Sequence, residues 1–192
     1  MFAYIEGDLT YKSPSLVYLS VNGLGYEVNI TLQTFSKIQH LDKCRLYTHL
    51  QVREDAWVMY GFADEQERET FRHLLSISGV GAATARLILS SLKPEELGRI
   101  ISTEDVNSLQ KVKGIGAKTA QRIILELKGK LQSLPQDATF TGIQHNTIEN
   151  DALFALVNLG INKAAAQAAI GKIENAGSLT VEDIIKKALR LL

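Results

Sequence analysis

Residues 113–122 read KGIGAKTAQR, in which two glycines flank an apolar residue and a helical pattern follows at once. The same arrangement, GVGAATA, stands at residues 79–85, an offset of 35 residues (114 − 79). Apolar positions outside the turns also match at this offset, such as Leu74 against Leu109. Because two copies are too few for a solenoid, the repeat predicts one compact domain built from a duplicated helical unit.

Each copy of the repeat reads helix, Gly-(Val/Ile)-Gly, helix, an arrangement suited to binding phosphate. Glycine permits a positive φ and a close approach of the backbone to another surface. The first amides of a helix have no intrahelical partners and carry the positive end of its dipole, so they attract anions. Such contacts hold a nucleic-acid backbone without reading bases, so the predicted binding is sequence-independent and salt-sensitive. The predicted DNA-binding residues of the two turns are Gly79, Val80, Gly81, Thr84, Gly114, Ile115, Gly116, Lys118, Thr119 and Arg122.

Other interpretations of the turns are weaker. A single Gly-x-Gly before a helix is often an ordinary turn, but a second copy with matched Ala and Thr favours phosphate binding. A nucleotide-binding P-loop is excluded, because its Gly and Lys are adjacent and here Ala117 separates Gly116 from Lys118. Four more lysines belong either to the DNA surface or only to a solvated face: Lys111, Lys113, Lys128 and Lys130.

The charge of the chain is balanced overall and uneven locally. Its 192 residues include 21 Lys and Arg against 21 Asp and Glu. Residues 107–132, however, hold six basic side chains and one acidic side chain, a net charge of +5, and a polyanion responds to that local field. No secretory signal and no membrane-spanning apolar run are recognised. With one cysteine and four scattered histidines, the sequence predicts a cytoplasmic protein without metal or cofactor.

The first 62 residues predict five short β-strands. SLVYLSV and YEVNIT alternate apolar and polar residues, and Asn22-Gly23 between them suits a tight hairpin. RLYTHLQV and WVMYGF are two further strands joined by the polar turn of residues 53–56, and FAYIEGDL is the fifth strand. Because closure removes exposed sheet edges, an OB-type β-barrel is expected. A sandwich or an open sheet is the alternative.

The remaining residues predict helices, which makes the fold class α+β and multidomain. The OB-type barrel occupies residues 1–62, and the all-α domain with the two glycine turns occupies residues 63–132. Residues 133–147 lack periodicity and predict a flexible linker. Residues 148–192 predict a three-helix bundle, in which Gly160 ends the first helix.

The paired glycine turns resemble helix-hairpin-helix motifs, which bind DNA backbones across the minor groove. A β-barrel, two such motifs, a linker and a small helical domain, in this order, resemble the RuvA family, whose members recognise four-way (Holliday) junctions. The resemblance covers the full length. Beyond the hairpins, its most specific points are THLQVREDA at residues 48–56, YGF at 60–62 and LVNLGI at 156–161.

The resemblance implies a homotetramer, or two facing tetramers, that holds an open and square junction. Glu54 and Asp55 match an acidic pin that projects to the point where strands exchange, and Arg53 beside them offers a compensating phosphate contact. The carboxylates would repel phosphates there and oppose the docking of plain duplex. Taken without the resemblance, two acids in a β-turn are ordinary surface charge.

The C-terminal helices resemble the family domain that engages the RuvB ATPase, the motor of branch migration in recombination and repair, and the RuvC resolvase is a further expected partner. Leu156 and Leu189 are alternatively core residues. The first hairpin departs from the family pattern, because Ala83 stands where a lysine is usual. Its expected phosphate ligands are therefore backbone amides, Thr84 and Arg86. The implied apolar docking residues are Leu156, Leu159, Ile161 and Leu189.

A non-catalytic DNA-binding subunit is therefore expected. The alternative from another class is a helix-hairpin-helix DNA repair enzyme, a glycosylase or a nuclease. One cysteine cannot hold an iron–sulfur cluster, and Asp137, the nearest acid after the second hairpin, falls in the predicted linker. Glu54 and Asp55 binding magnesium, as in a nuclease, stays open. A third alternative is a protein-interaction scaffold whose hairpins are only turns.

Overall fold

A computed structural model of the chain describes residues 2–133, 148–173 and 179–192. These residues belong to two compact units, Met1–Gln136 and Asp137–Leu192. Of the predicted linker, Ser133 still belongs to the last helix of the first unit, and the rest lies outside the described residues. Across the described ranges, no helix has both the length and the apolar character needed to cross a membrane.

Five strands close into the predicted barrel. They are β1 Tyr4–Lys12, β2 Leu16–Val21, β3 Leu24–Ile30, β4 Lys43–Val52 and β5 Trp57–Phe62. The strand order is β1-β2-β3-β5-β4, and every pair is antiparallel except β3 with β5. Closure confirms the OB-type barrel over a sandwich or an open sheet. Alternate residues point inward, and the most deeply buried of them are Val17, Leu19, Val28, Ile30 and Leu46.

Both predicted β-turns are confirmed. Asn22 and Gly23 have φ values of +48° and +85°, as a two-residue type I′ hairpin requires. Between β4 and β5, the amide of Arg53 donates to the carbonyl oxygen of Ala56 at 2.9 Å. Glu54 and Asp55 therefore occupy the two central positions of a closed, solvent-exposed turn.

Helix α1, Leu32–Ile38, connects β3 to β4 and is not predicted by the sequence pattern. The hydroxyl of Thr31 caps it by accepting from the amide of Thr34 at 3.0 Å. Both threonine hydroxyls also donate to the buried carboxylate of Glu67, which lies 36 and 33 residues further along the chain. Seven residues carry too little periodicity to identify a helix, and its supporting contacts are distant in sequence.

Five further helices form the domain that the repeat predicts. They are α2 Glu65–Leu75, α3 Ala82–Ser91, α4 Pro94–Ser102, α5 Val106–Gln110 and α6 Ala117–Ser133. Helix α4 begins at Pro94, and the Glu96 carboxylate accepts from the amide of Lys93 at 3.0 Å. Helices α3 and α6 begin at Ala82 and Ala117, which are equivalent positions of the repeat.

The barrel and the tandem helices share one hydrophobic core. Phe71 of α2 is completely buried and contacts Tyr60 and Phe62 of β5, with ring centroids 5.1 and 4.9 Å apart. The same cluster continues into the apolar faces of α3, α4 and α6. Burial of one such aromatic side chain contributes about 1.5–3 kcal/mol. Residues on either side of the predicted boundary at Phe62 thus pack against each other.

The C-terminal unit is the predicted three-helix bundle. It contains α7 Ile148–Asn158, α8 Lys163–Gly171 and α9 Val181–Leu191. Gly160 follows α7 with a φ of +88°, and side-chain oxygens of Asn162 and Thr180 cap α8 and α9. Its small core is made of Ala152, Leu156, Ala166, Ala169, Ile170, Ile184 and Ala188.

Candidate nucleic-acid interface

The two glycine turns have nearly the same backbone geometry. Gly79 and Gly114 have φ values of +86° and +87°. The next residue of each turn closes it, because Val80 donates to the carbonyl oxygen of Ile77 at 3.0 Å and Ile115 donates to that of Val112 at 3.1 Å. The sequence repeat is therefore a structural repeat down to single hydrogen bonds.

The two glycines of each turn have different roles. Gly79 and Gly114 occupy the left-handed region, which residues with a Cβ rarely adopt. Gly81 is extended, with a φ of −86°, so its conformation does not require glycine. A Cβ built on Gly81 or Gly116 would meet no atom of the described residues within 4 Å. These second glycines leave the surface in front of α3 and α6 open to a ligand.

The helix starts beside these glycines present amide groups to that open surface. Gly81 is the N-cap of α3, and no side chain of the described residues caps the helix. The first amides of α3 are therefore left for an external acceptor. Val80 and Ile115 are buried and anchor the turns in the core. Thr84 and Thr119 are half-buried, one turn into their helices.

The charges around the two turns are unequal. Lys113 and Lys118 are exposed and, within the described part of the chain, take part in no salt bridge. Lys128 instead pairs with Glu104, and this ammonium lowers the pKa of the Glu104 carboxyl. In the first turn, Ala83 occupies the position equivalent to Lys118 and is also exposed. The second turn is thus the more cationic one.

Arg122 connects the two turns. Its Nη1 atom donates to the carbonyl oxygen of Ser78 at 3.0 Å, directly before Gly79. The sequence alone indicates a phosphate contact for Arg122 and no internal partner. Because a guanidinium has five donors, this exposed side chain keeps others for a phosphate. The equivalent residue of the first copy is Leu87, so the first helix cannot make the reciprocal bond.

Arg86 was expected to bind phosphate at the first turn, but its side chain has partners within the protein. Its Nη1 atom donates to Asn29 Oδ1 at 2.7 Å and to the carbonyl oxygen of Ser15 at 3.3 Å. Both acceptors belong to the barrel, so Arg86 holds α3 against it. Backbone amides and Thr84 are then the remaining predicted phosphate ligands of the first turn.

The hairpin of β4 and β5 presents the predicted acidic pair to solvent. Glu54 and Asp55 are exposed, and Arg53 Nη2 donates to Gln51 Oε1 at 3.2 Å. Two apolar side chains next to the turn were not singled out from the sequence: Trp57 is 75% exposed and Val52 is 61% exposed. The only sequence feature that indicates their exposure is their position at a strand end, beside a polar turn.

The predicted docking residues of the C-terminal unit separate into surface and core. Leu159 and Leu189 are exposed, at 65% and 46%. Ile161 is half-buried against the small core, and Leu156 is completely buried within it. The placement of Leu156 on an exposed docking face is therefore wrong, because its side chain packs among α7, α8 and α9. Phe154 of α7 is 65% exposed and was not singled out from the sequence.

The structure also gives the surroundings of the residues that were considered for catalysis or metal binding. In the described residues, no three or more His, Cys, Asp or Glu side chains are disposed to hold a metal ion. Burial raises the pKa of the Cys44 thiol to about 11, so the thiol stays protonated at neutral pH. Asp137 lies outside the described residues.

The closed five-stranded barrel and the two equivalent glycine turns define a tandem helix-hairpin-helix protein built on an OB-type fold. Three families match along the chain: the RuvA N terminal domain at residues 1–61, the SAM-like helix-hairpin-helix tandem at residues 71–130 and the RuvA C-terminal domain at residues 147–192. Together with the full-length relatives, these matches show that the chain belongs to the RuvA family.

The relatives are similar over their entire lengths. A protein of Christiangramia forsetii is 50% identical over 194 residues, and proteins of Cytophaga hutchinsonii and Bacteroides fragilis are each 45% identical over 201 residues. In all three comparisons 100% of both chains is covered. Each relative is named Holliday junction branch migration complex subunit RuvA.

Proposed function

We propose that this protein binds four-way DNA junctions, independently of sequence, as a subunit of a branch migration complex. Full-length similarity to proteins of that name supports the proposal. The single structural observation that carries it is the pair of equivalent glycine turns, each with a buried apolar anchor and an open approach to a helix start.

The two turns hold the sugar–phosphate backbone. Main-chain amides at the starts of α3 and α6 donate to phosphate oxygens, and Lys118 adds a charge at the second turn. None of these groups reads a base edge, so affinity depends on backbone geometry and on salt rather than on sequence. The contacts proposed are Gly79, Gly81, Thr84, Gly114, Gly116, Lys118, Thr119, Arg122 and Arg53. Val80 and Ile115 serve the site by anchoring the two turns in the core.

The acidic turn gives the preference for junctions over duplex. Glu54 and Asp55 are exposed at the tip of a closed β-turn, where they repel phosphate. At an open junction, no sugar–phosphate backbone crosses directly over the tip of the β4–β5 turn. A continuous duplex would place a backbone there. The carboxylates therefore oppose duplex more than they oppose a junction.

Assembly into a homotetramer raises the affinity for DNA above that of a single subunit. In a homotetramer each copy adds its turns at a high effective concentration, so one subunit needs only limited affinity. A second tetramer facing the first would enclose the junction. The C-terminal unit engages the RuvB ATPase through Leu159, Ile161 and Leu189. RuvC joins the larger complex.

The protein itself is non-catalytic in this proposal, and the energy for migration comes from the partner ATPase. The competing function is a helix-hairpin-helix nuclease in which Glu54 and Asp55 hold magnesium. Incubation of labelled junction with protein and magnesium distinguishes the two: intact strands are expected, and cleavage that Glu54→Gln abolishes would support the nuclease.

The central test compares binding of a four-way junction, a fork and a duplex of matched sequence in a gel-shift series. We expect the order junction, fork, duplex, with a shift to weaker binding as salt rises. Light scattering on the same samples gives the number of subunits per complex. Equal affinity for junction and duplex at every salt concentration would contradict the proposal.

A further inference from the structure

An exposed tryptophan lies beside the acidic turn. Trp57, the first residue of β5, is 75% exposed, and Val52, the last residue of β4, is 61% exposed. The two residues are directly opposed across the strands, as the final pair before the turn. The tip of this hairpin thus carries a small apolar platform immediately next to Glu54 and Asp55.

The platform continues a row of inward-facing residues beyond the barrel. Leu50 and Met59 oppose each other one pair further in, since side chains alternate along a strand. Met59 is buried in the barrel core and Leu50 packs against it. Two residues later the same face reaches Val52 and Trp57, where no described side chain covers it. The apolar face therefore runs out of the barrel and ends in solvent.

The charge at this tip restricts what can cover the indole. Phosphate is repelled by the two exposed carboxylates. A nucleobase, by contrast, is planar and carries no net charge, and an indole stacks on any base. The neighbouring carboxylates thus favour a nucleobase over a phosphate as the group that covers the indole.

We propose that Trp57, supported by Val52, stacks on an unpaired nucleobase at the crossover of the bound junction. This inference rests on the proposed function, which brings the acidic turn to that point. All bases of a duplex are stacked. In a junction that is held open, a base that has left its partner in one arm is unpaired until it pairs in the next arm. Stacking would hold such a base while its new partner arrives, and it adds preference for junctions that the carboxylates alone do not provide.

The test uses the intrinsic fluorescence of the full-length protein, because Trp57 is its only tryptophan. Free protein should emit as a solvated indole that acrylamide quenches readily. Saturation with a fixed four-way junction should quench the emission and protect it from acrylamide, because a stacked base does both. Saturation with duplex of the same arm sequence, at lower salt, should leave the emission nearly unchanged.

Variants separate stacking from folding. Trp57→Ala should weaken junction binding by roughly tenfold and duplex binding little, whereas Trp57→Phe should recover part of the loss because it keeps an aromatic ring. Leu24→Ala is the matched control, since Leu24 is 63% exposed beside the turn of the other β-hairpin. It should change neither affinity. Equal thermal unfolding of the three variants and wild type excludes a folding defect.

Three results would overturn the inference. Unchanged Trp57 emission in a wild-type protein that still prefers junction over duplex would remove the stacking and leave the proposed function intact. Emission that is already protected in the DNA-free assembly would show that another copy covers the indole. A wild-type protein without junction preference would overturn both proposals.

Discussion

Arg122 of α6 donates a hydrogen bond of 3.0 Å to the carbonyl oxygen of Ser78, and so connects the helix of the second glycine turn to the backbone of the first. Three residues separate Ser78 from Ala82, the first residue of α3. This hydrogen bond adds to the shared hydrophobic core in fixing the spacing of the two glycine turns.

Replacing Arg122 tests this connection. Arg122→Leu, which introduces the residue of the equivalent position 87, should weaken junction binding by on the order of 1–2 kcal/mol. Hydrogen exchange of the amides at residues 79–81 should also become faster in the free protein. A side chain that only contacted DNA would leave that exchange unchanged, and Arg122→Lys provides the charge-preserving control.

The unequal charge of the two turns gives a second prediction. Lys118→Ala should weaken junction binding more than any single substitution in the first turn, because only the second turn carries this lysine. Conversely, Ala83→Lys at the equivalent exposed position should strengthen binding. The slope of log K against log salt should grow by about 0.9 for each added phosphate contact. Equal losses from the two turns would contradict the ranking.

The acidic turn gives a third prediction. The double variant Glu54→Gln, Asp55→Asn should bind duplex more tightly, by roughly threefold to tenfold, because a repulsion is removed that acts mainly on phosphate. Junction binding should change less, so the preference for junctions falls. Salt-matched titrations of both substrates measure this ratio. Unchanged duplex affinity would remove the proposed role of the carboxylates.

Glu67 predicts a pH dependence of stability. Burial raises the pKa of its carboxyl, although the hydroxyls of Thr31 and Thr34 partly offset the shift by donating to the charged form. The folded protein then holds this proton to a higher pH than the unfolded chain does. The stabilisation is complete below the unfolded pKa and is lost as pH rises through the folded pKa, with a slope of at most about 1.4 kcal/mol per pH unit.

Urea unfolding between pH 4 and pH 8 measures this effect. The difference between wild type and Glu67→Gln should vary with pH only in that window, because the glutamine remains neutral and can still bond the two threonines. A constant difference over the whole range would show that the buried carboxyl titrates normally. Glu95→Gln is the control, since that carboxylate is exposed and forms no salt bridge with the described residues.

The C-terminal unit gives a fifth prediction, in which two leucines behave differently. Leu159→Ala should leave the unfolding of the unit unchanged and reduce stimulation of the partner ATPase, because Leu159 is exposed. Leu156→Ala should instead destabilise the unit by about 2–5 kcal/mol, because it opens a cavity in the core. Junction binding should survive in both variants. Full stimulation by Leu159→Ala would exclude this residue from the docking face.

Local features were predictable from the sequence and distant partners were not. The glycine turns were predicted because a repeated pattern of Gly, apolar and Gly encodes its own backbone geometry. The barrel followed from alternation and the Asn22 turn. By contrast, the barrel acceptors of Arg86 lie 57 and 71 residues away in the chain. Nothing in the local pattern around Arg86 distinguishes an internal partner from a phosphate.

The sequence also did not show which apolar side chains of the small C-terminal unit are buried. Leu156 and Leu159 are both apolar and lie three residues apart, yet one is core and the other is surface. Which of the two points inward depends on where α8 and α9 pack. The exposure of Trp57 was missed for a related reason: the pattern of β5 does not show where the barrel ends.

Strand β5 joins two environments within six residues. One end carries Trp57 next to the acidic turn, and the other end carries Phe62, which packs on Phe71 in the core of the tandem helices. Because Val80 and Ile115 belong to the same buried cluster as Phe62, the acidic tip and the glycine turns are built on one continuous packing unit. A substitution at Phe62 or Phe71 that loosens this packing would therefore disturb both surfaces together.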